Sequence, residues 1–265
     1  MLRFVALFFL CFTPEAVYCA SLVSVFFLQF CAYFRHFYSN SRFMDTNNTP
    51  RTSADSFPRA SSSERLRALT RAGIADSIAV KERLLIAQAE AIAETGDALA
   101  STLAAGGKIL FCGNGGSAAD AQHIAAELSG RYRSAVNRRA LPALALSVDP
   151  SFVTACANDF GYDAVFARGV EAHGRAGDAL VIISASGSSP NVLNAAKTAR
   201  AQDMLVVGLL GSSGGAALPL CHYAALVPSD VTARIQESHI LIGHIWCDII
   251  EQTLFPELFA RDTAG

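Results

Sequence analysis

A doubly wound parallel α/β sheet is the fold this sequence predicts, and three observations predict it. Short continuous apolar runs at Ile109–Cys112, Ala143–Val148, Ala179–Ile183, Leu205–Leu209 and Tyr223–Val227 alternate with helix-compatible stretches. Uninterrupted runs of this kind suit strands buried on both faces, which is the situation of a parallel sheet covered by helices. Glycine- or serine-rich turns follow three of the runs, at Gly113-Asn114-Gly115-Gly116-Ser117, at Ser184-Ala185-Ser186-Gly187-Ser188-Ser189 and at Gly211-Ser212-Ser213-Gly214-Gly215. A length of 265 residues suits one such domain with an appendage. The expected architecture is a five-stranded, flavodoxin-like sheet with an N-terminal helical extension.

Residues 1–38 differ in composition from everything after them. Two Phe- and Leu-rich runs, MLRFVALFFLCF and ASLVSVFFLQFCAYF, are separated by a stretch containing Thr13-Pro14-Glu15. A signal sequence or membrane anchor is the first reading. The second run, Ala20 to Phe34, is nevertheless shorter than the roughly 20 residues a membrane-spanning helix needs. We expect Met44 to start the functional protein and residues 1–43 to be absent from it. Residues 44–63 are polar, with Pro50, Pro58 and three consecutive serines at Ser61 to Ser63, and read as a flexible arm. The domain proper is expected over residues 64–260.

Ile74 to Leu103 is alanine-rich and free of proline, and Ile78, Leu85, Ile92 and Leu99 recur every seven residues. This is a long helix with one apolar stripe, ended by Gly106-Gly107. Arriving before the first strand, the stripe either belongs to ordinary core or packs on copies of the same chain. After the first strand and its glycine turn, a helix carries His123 and Glu127 four residues apart, on one face. Its first N–H groups are expected to face a ligand, for which an anion is the natural choice. A helix is expected over Ser151–Ala157, then a tight loop at Asn158-Asp159-Phe160-Gly161, then a helix from Asp163 to His173. Pro190 stands where a helix begins, with Asn191 to Ala201 following it. The last helix runs from Thr232 to Leu254.

Ligands of such sheets bind outside the carboxyl ends of the strands. The glycine turn, the Asn158-Asp159 loop and the serine loop therefore describe one pocket. Four hydroxyls and a glycine ahead of a helix N-terminus supply many donors and no fixed charge, a composition that suits a phosphate monoester. The glycine turn matches neither the dinucleotide fingerprint nor the P-loop lysine pattern, so a nucleotide is not indicated. Lys and Arg total 21 against 23 Asp and Glu, a net charge of -2, so no basic field recommends nucleic acid. Cys112, Cys156, Cys221 and Cys247 follow no metal-binding or disulfide spacing and read as reduced buried thiols. No membrane partner is expected, and the location expected is cytoplasmic.

Taken together, the two loops resemble the sugar isomerase (SIS) domain. Finer features are similar to the phosphoheptose isomerase family: the glycine turn, His123 with Glu127, Gly130-Arg131-Tyr132-Arg133, Asn158-Asp159-Phe160-Gly161, and Arg234-Ile235-Gln236-Glu237 with His244. The resemblance covers Ile74 to Phe255 and leaves residues 1–63 outside it. It implies an aldose-ketose isomerase that interconverts sedoheptulose 7-phosphate and D-glycero-D-manno-heptose 7-phosphate for lipopolysaccharide or another surface glycan, works as a homotetramer and carries zinc. Carried over by position, it makes Asn114, Gly115, Gly116, Ser117, Arg131, Asn158 and Asp159 substrate contacts. Ser184, Ala185, Ser186 and Ser189 become the phosphate loop. Glu127 and Gln236 touch both substrate and metal, and His123 and His244 complete the metal set. The family usually has Thr where Ala185 stands, and some members have Asp where Ala233 stands, so neither group transfers.

Gln236 and His244 are eight residues apart, about 80° around a helix, and can face one cleft; His239, about 140° from His244, points elsewhere. Glu127 and His244 are the candidates for moving a proton between adjacent carbons through an enediol. Held by the same side chains, a metal would instead act as a Lewis acid. From another class comes a second reading, a non-catalytic SIS homologue that binds the bacterial replication initiator; such relatives tend to lack the acid and histidines found here. A sugar-phosphate-sensing regulator would require a DNA-binding region, for which residues 45–63 are too short and polar.

Overall fold

A computed structural model describes residues 64–259. The boundary expected at Met44, the apolar stretch before it and the polar arm lie outside the described residues. The order of elements is α1 (Glu64–Ala104), β1 (Ile109–Gly113), α2 (Gly116–Ser129), β2 (Ala143–Ala145), α3 (Pro150–Phe160), α4 (Val165–His173), β3 (Ala179–Ser184), α5 (Pro190–Ala201), β4 (Leu205–Gly211), β5 (Tyr223–Val227) and α6 (Thr232–Leu254). All five strands are parallel, in the order β2-β1-β3-β4-β5. This is the expected doubly wound sheet. Because the order turns at β1 and β3, the two strand ends open a crevice between their loops.

Successive strand residues point to opposite faces, and each face has its own core. Phe111, Val181, Ile183 and Leu209 pack with Leu99 of α1, Ile124 and Leu128 of α2 and Trp246 of α6. Leu110, Cys112, Ile182 and Leu210 pack on the other side with Cys156 of α3, Phe166 and Val170 of α4 and Val192 of α5. Cys112, Cys156 and Cys247 are buried free thiols, and Cys221 is a partly buried one. In register, Gly113 stands beside Ile183 and Ser184 beside Leu210. The glycine turn, the serine loop and the end of β4 therefore leave the sheet side by side.

Four local expectations are corrected. α1 begins at Glu64, ten residues before Ile74, and contacts with α6 that the local pattern does not show hold it from Gly73 onward. Arg234 donates to the Gly73 carbonyl at 2.8 Å, and Ser77 donates to Glu237 at 2.8 Å. β2 is only Ala143–Ala145, since Asp149 caps α3 through the N–H groups of Ser151 and Phe152. Asn158, Asp159 and Phe160 belong to α3, which Gly161, at φ 83°, ends three residues later than the expected end at Ala157. The heptad stripe divides: Ile92 and Leu99 are core, while Ile78 and Leu85 are 53% and 69% exposed. No described helix is long and apolar enough to cross a membrane.

Candidate active site

A cavity of about 490 Å³ opens at the carboxyl ends of the strands. Asn114 and Ser117 line it from the glycine turn, Ser184, Ala185, Ser186 and Ser189 from the loop after β3, and Gln236 from α6. No Lys or Arg lines it. Its polar lining is hydroxyl and amide groups with one carboxylate, Asp230. A larger hollow, about 980 Å³, lies at the opposite ends of the strands, beside Asp97, Asp178, Asp203 and Tyr223. Arg200 and His222 line it as well, and ligands of such sheets bind at the other end of the strands.

Local geometry explains the residue types. Gln236 lies so close to Gly116 that a Cβ there would come within 2.5 Å of its side-chain nitrogen. Gly187, at φ 62°, runs against the Gly214 carbonyl, where a Cβ would approach to 2.0 Å. Ser184 is buried and its Oγ accepts from the Gly187 N–H at 3.1 Å, which shapes the serine loop. The glycine turn behaves differently from expectation. The N–H groups of Ser117, Ala118 and Ala119, in the first turn of α2, are spent on the carbonyls of Asn114 and Gly115 at 3.0–3.2 Å. Asn114 and Ser117 are the turn residues that line the cavity.

Farther along α2, His123 and Glu127 meet His244 of α6. His123 Nε2 lies 3.1 Å from His244 Nε2 and 3.3 Å from Glu127 Oε1. Ligand atoms of all three fall within 4.8 Å of one another, a group able to hold a metal ion. Tyr132 stacks on the His244 ring at 5.6 Å, and burial, then Asp248 and Cys247, push its phenol pKa upward. Asp120, one turn before His123, has its carboxyl raised by burial against an opposing pull from His123.

Arg138 holds this arrangement from behind. Its buried guanidinium donates to the Glu127 and Leu128 carbonyls at 2.8 and 3.0 Å, capping α2, and to Glu251 of α6 at 2.6 Å. Within the Arg234-Ile235-Gln236-Glu237 motif, only Gln236 and Ile235 reach the cavity. Arg234 and Glu237 pair with each other and tie α6 to α1.

Of the residues expected to contact substrate, Gly115, Gly116, Glu127, Arg131, Asn158 and Asp159 are not among those lining the cavity. Arg131 is exposed, and Asn158 and Asp159 are exposed and bonded to each other at 2.8 Å. His239 points away, as its spacing requires: it is fully buried, and burial lowers its pKa to about 4. Sequence reasoning missed Ser212, Ser213, Ser229, Asp230 and Thr232, which also line the cavity. The position of Ser212 and Ser213 directly after a strand, like the other two loops, was the signal available. Missed as well were Tyr162 and Asn191, both bonded to Asn114.

The SIS domain family model matches residues 74–211, just over half of the chain. The phosphoheptose isomerase of Paramagnetospirillum magneticum is 57% identical over 159 residues, covering 60% of this chain and 82% of that protein. The structure of phosphoheptose isomerase from Neisseria gonorrhoeae superposes with a TM-score of 0.66 at 44% identity, over 71% of this chain and 99% of that one. A phosphoheptose isomerase from Francisella tularensis gives 0.67 at 39% identity, over 70% and 97%. Sheet order, serine-lined cavity and family match together define a SIS-domain protein. Within that class, the chain belongs to the phosphoheptose isomerase family. These relatives are named as isomerases, which does not favour the initiator-binding reading.

Proposed function

We propose that this protein is an aldose-ketose isomerase that converts sedoheptulose 7-phosphate to D-glycero-D-manno-heptose 7-phosphate. The observation that carries the reading is the pairing of a cation-free, serine-lined cavity with the His123, Glu127 and His244 group on the helices that border it. Ser184, Ser186, Ser189 and the backbone at Ala185 hold the phosphate. Asn114, Gly115, Gly116, Ser117 and Gln236 contact the sugar.

Isomerisation moves a proton between C1 and C2 through an enediol and shifts a second proton between their oxygens. Glu127 takes and returns the carbon-bound proton, and His244 carries the oxygen-bound one. The same side chains suit zinc. Atoms bound to one tetrahedral zinc at about 2.0–2.1 Å stand about 3.4 Å apart, close to the 3.1 and 3.3 Å found here. His123, Glu127, His244 and Gln236 would hold the ion, which would polarise the carbonyl and enediolate oxygens when bound. Exposed Leu85 and Ile86 on α1 support assembly into a homotetramer. We assign the protein to the cytoplasm and to heptose supply for lipopolysaccharide or another surface glycan, with a functional chain starting at Met44.

Chelation tests how the work is divided. Activity lost to a chelator and restored by zinc assigns the group to the metal; unchanged activity assigns proton transfer to Glu127 and His244 without it. Absence of heptose 7-phosphate under both conditions contradicts the isomerase reading.

A further inference from the structure

Asn114 sits in a hydrogen-bonded relay whose direction can be read from one backbone group. At the start of α5, the Val192 N–H donates to Asn191 Oδ1 at 3.0 Å. A backbone N–H can only donate, so it fixes which end of the Asn191 amide is oxygen and which is nitrogen. Asn191 and Asn114 then form a reciprocal pair: Asn114 Nδ2 donates to Asn191 Oδ1 and Asn191 Nδ2 donates to Asn114 Oδ1, both at 2.9 Å. With Asn191 set, Asn114 is set as well. Tyr162, from the turn after α3, places its hydroxyl 3.0 Å from Asn114 Oδ1 and must donate to it.

Donor and acceptor counts have a consequence for the cavity. Asn114 Oδ1 receives two donors, which occupies both lone pairs, whereas Nδ2 has given only one of its two hydrogens to Asn191. Asn114 lines the cavity and Asn191 is only 2% exposed. We infer that Asn191 and Tyr162 are positioning residues that lock Asn114 into presenting a single N–H, and no acceptor, to the sugar phosphate. The partner of that N–H is an oxygen used as an acceptor, such as a carbonyl or a deprotonated enediol oxygen. Substrates offering only a donor at that place are rejected, because the amide cannot turn over without breaking the relay. Tyr162 ties this selection to α3, so the Asn158-Asp159 segment acts on the cavity through its neighbour even though its own side chains do not line it.

The inference rests on the proposed sugar phosphate as ligand. Its test is a double-substitution cycle read by calorimetric binding of sedoheptulose 7-phosphate, with inorganic phosphate as the second ligand. Tyr162 is 51% exposed, so Tyr162→Phe should leave the fold unchanged. We expect it to weaken sugar phosphate binding by about 3- to 10-fold, the scale of one hydrogen bond. In an Asn114→Ala background the same substitution should change binding by less than about twofold, and inorganic phosphate should bind all variants alike to within about twofold. Asn191→Asp, which removes the donor facing Asn114 Oδ1, should weaken binding further than Tyr162→Phe. Equal losses in both backgrounds, parallel losses for phosphate, or no loss in Tyr162→Phe would overturn the relay. A parent protein that binds the sugar phosphate without turning it over would contradict the isomerase reading alone; one that does not bind it would overturn both.

Discussion

Glu127 and Ser186 sit in different parts of the site and predict different kinetic losses. Glu127→Gln keeps the size of the side chain but removes the base and weakens any metal ligation. Turnover should fall by at least about 100-fold, the usual scale of general base catalysis. Ser186 lines the cavity and neither His123 nor His244 does, so Ser186→Ala should raise KM and leave kcat nearly intact. Steady-state kinetics on the two variants separates the roles; near-normal turnover in both Glu127→Gln and His244→Ala would contradict them. His239 predicts a pH effect on stability instead. Both ring nitrogens lack a properly formed hydrogen bond, and only the Leu210 backbone opposes the effect of burial on its pKa. The unfolded chain takes up this proton near pH 6.5 and the folded chain only near pH 4. Between those values the unfolded state binds more protons, so stability falls as pH drops, by about 3 kcal/mol in total. Thermal melts from pH 7 to 4 should show the loss, and His239→Leu should flatten it.

At the scale of elements, the buried Arg138–Glu251 pair joins the loop after α2 to α6, and neither side chain is exposed to solvent. Arg138→Met leaves a carboxylate buried without its partner and should cost about 3–5 kcal/mol in urea denaturation. Replacing both by apolar residues should cost less than the single change; a double variant as unstable as the single would contradict this. α1 carries a separate expectation. Ile92 is core, so a charge there would test folding, whereas Leu85 and Ile86 are 69% and 86% exposed beside an apolar groove formed with Leu241 and Ile245 of α6. Leu85→Glu with Ile86→Glu should reduce the mass seen by light scattering while leaving the monomer folded. An unchanged mass would remove this face from the assembly.

For the whole molecule, strand number, strand direction and the place of the cavity were legible because each follows from local pattern: apolar runs, the turns after them, and the rule placing ligands at strand ends. The meeting of His123, Glu127 and His244 followed from family resemblance, since His244 lies 121 residues from His123 and no local period links them. The early start of α1 and the length of α3 were not legible. α1 is tied to α6 by Arg234 and Glu237, far along the sequence, and α3 runs on until the positive φ of Gly161 ends it. Ser212 and Ser213 were overlooked because a serine pair has no chemistry of its own until a neighbouring loop faces it. The most direct test of the isomerase reading is to incubate the full chain with sedoheptulose 7-phosphate in deuterium oxide and follow the carbon-bound hydrogens by NMR. Proton transfer through an enediol predicts heptose 7-phosphate with deuterium at C2 and recovered ketose with deuterium at C1. Neither product nor exchange, from protein that is folded and supplied with zinc, would contradict it.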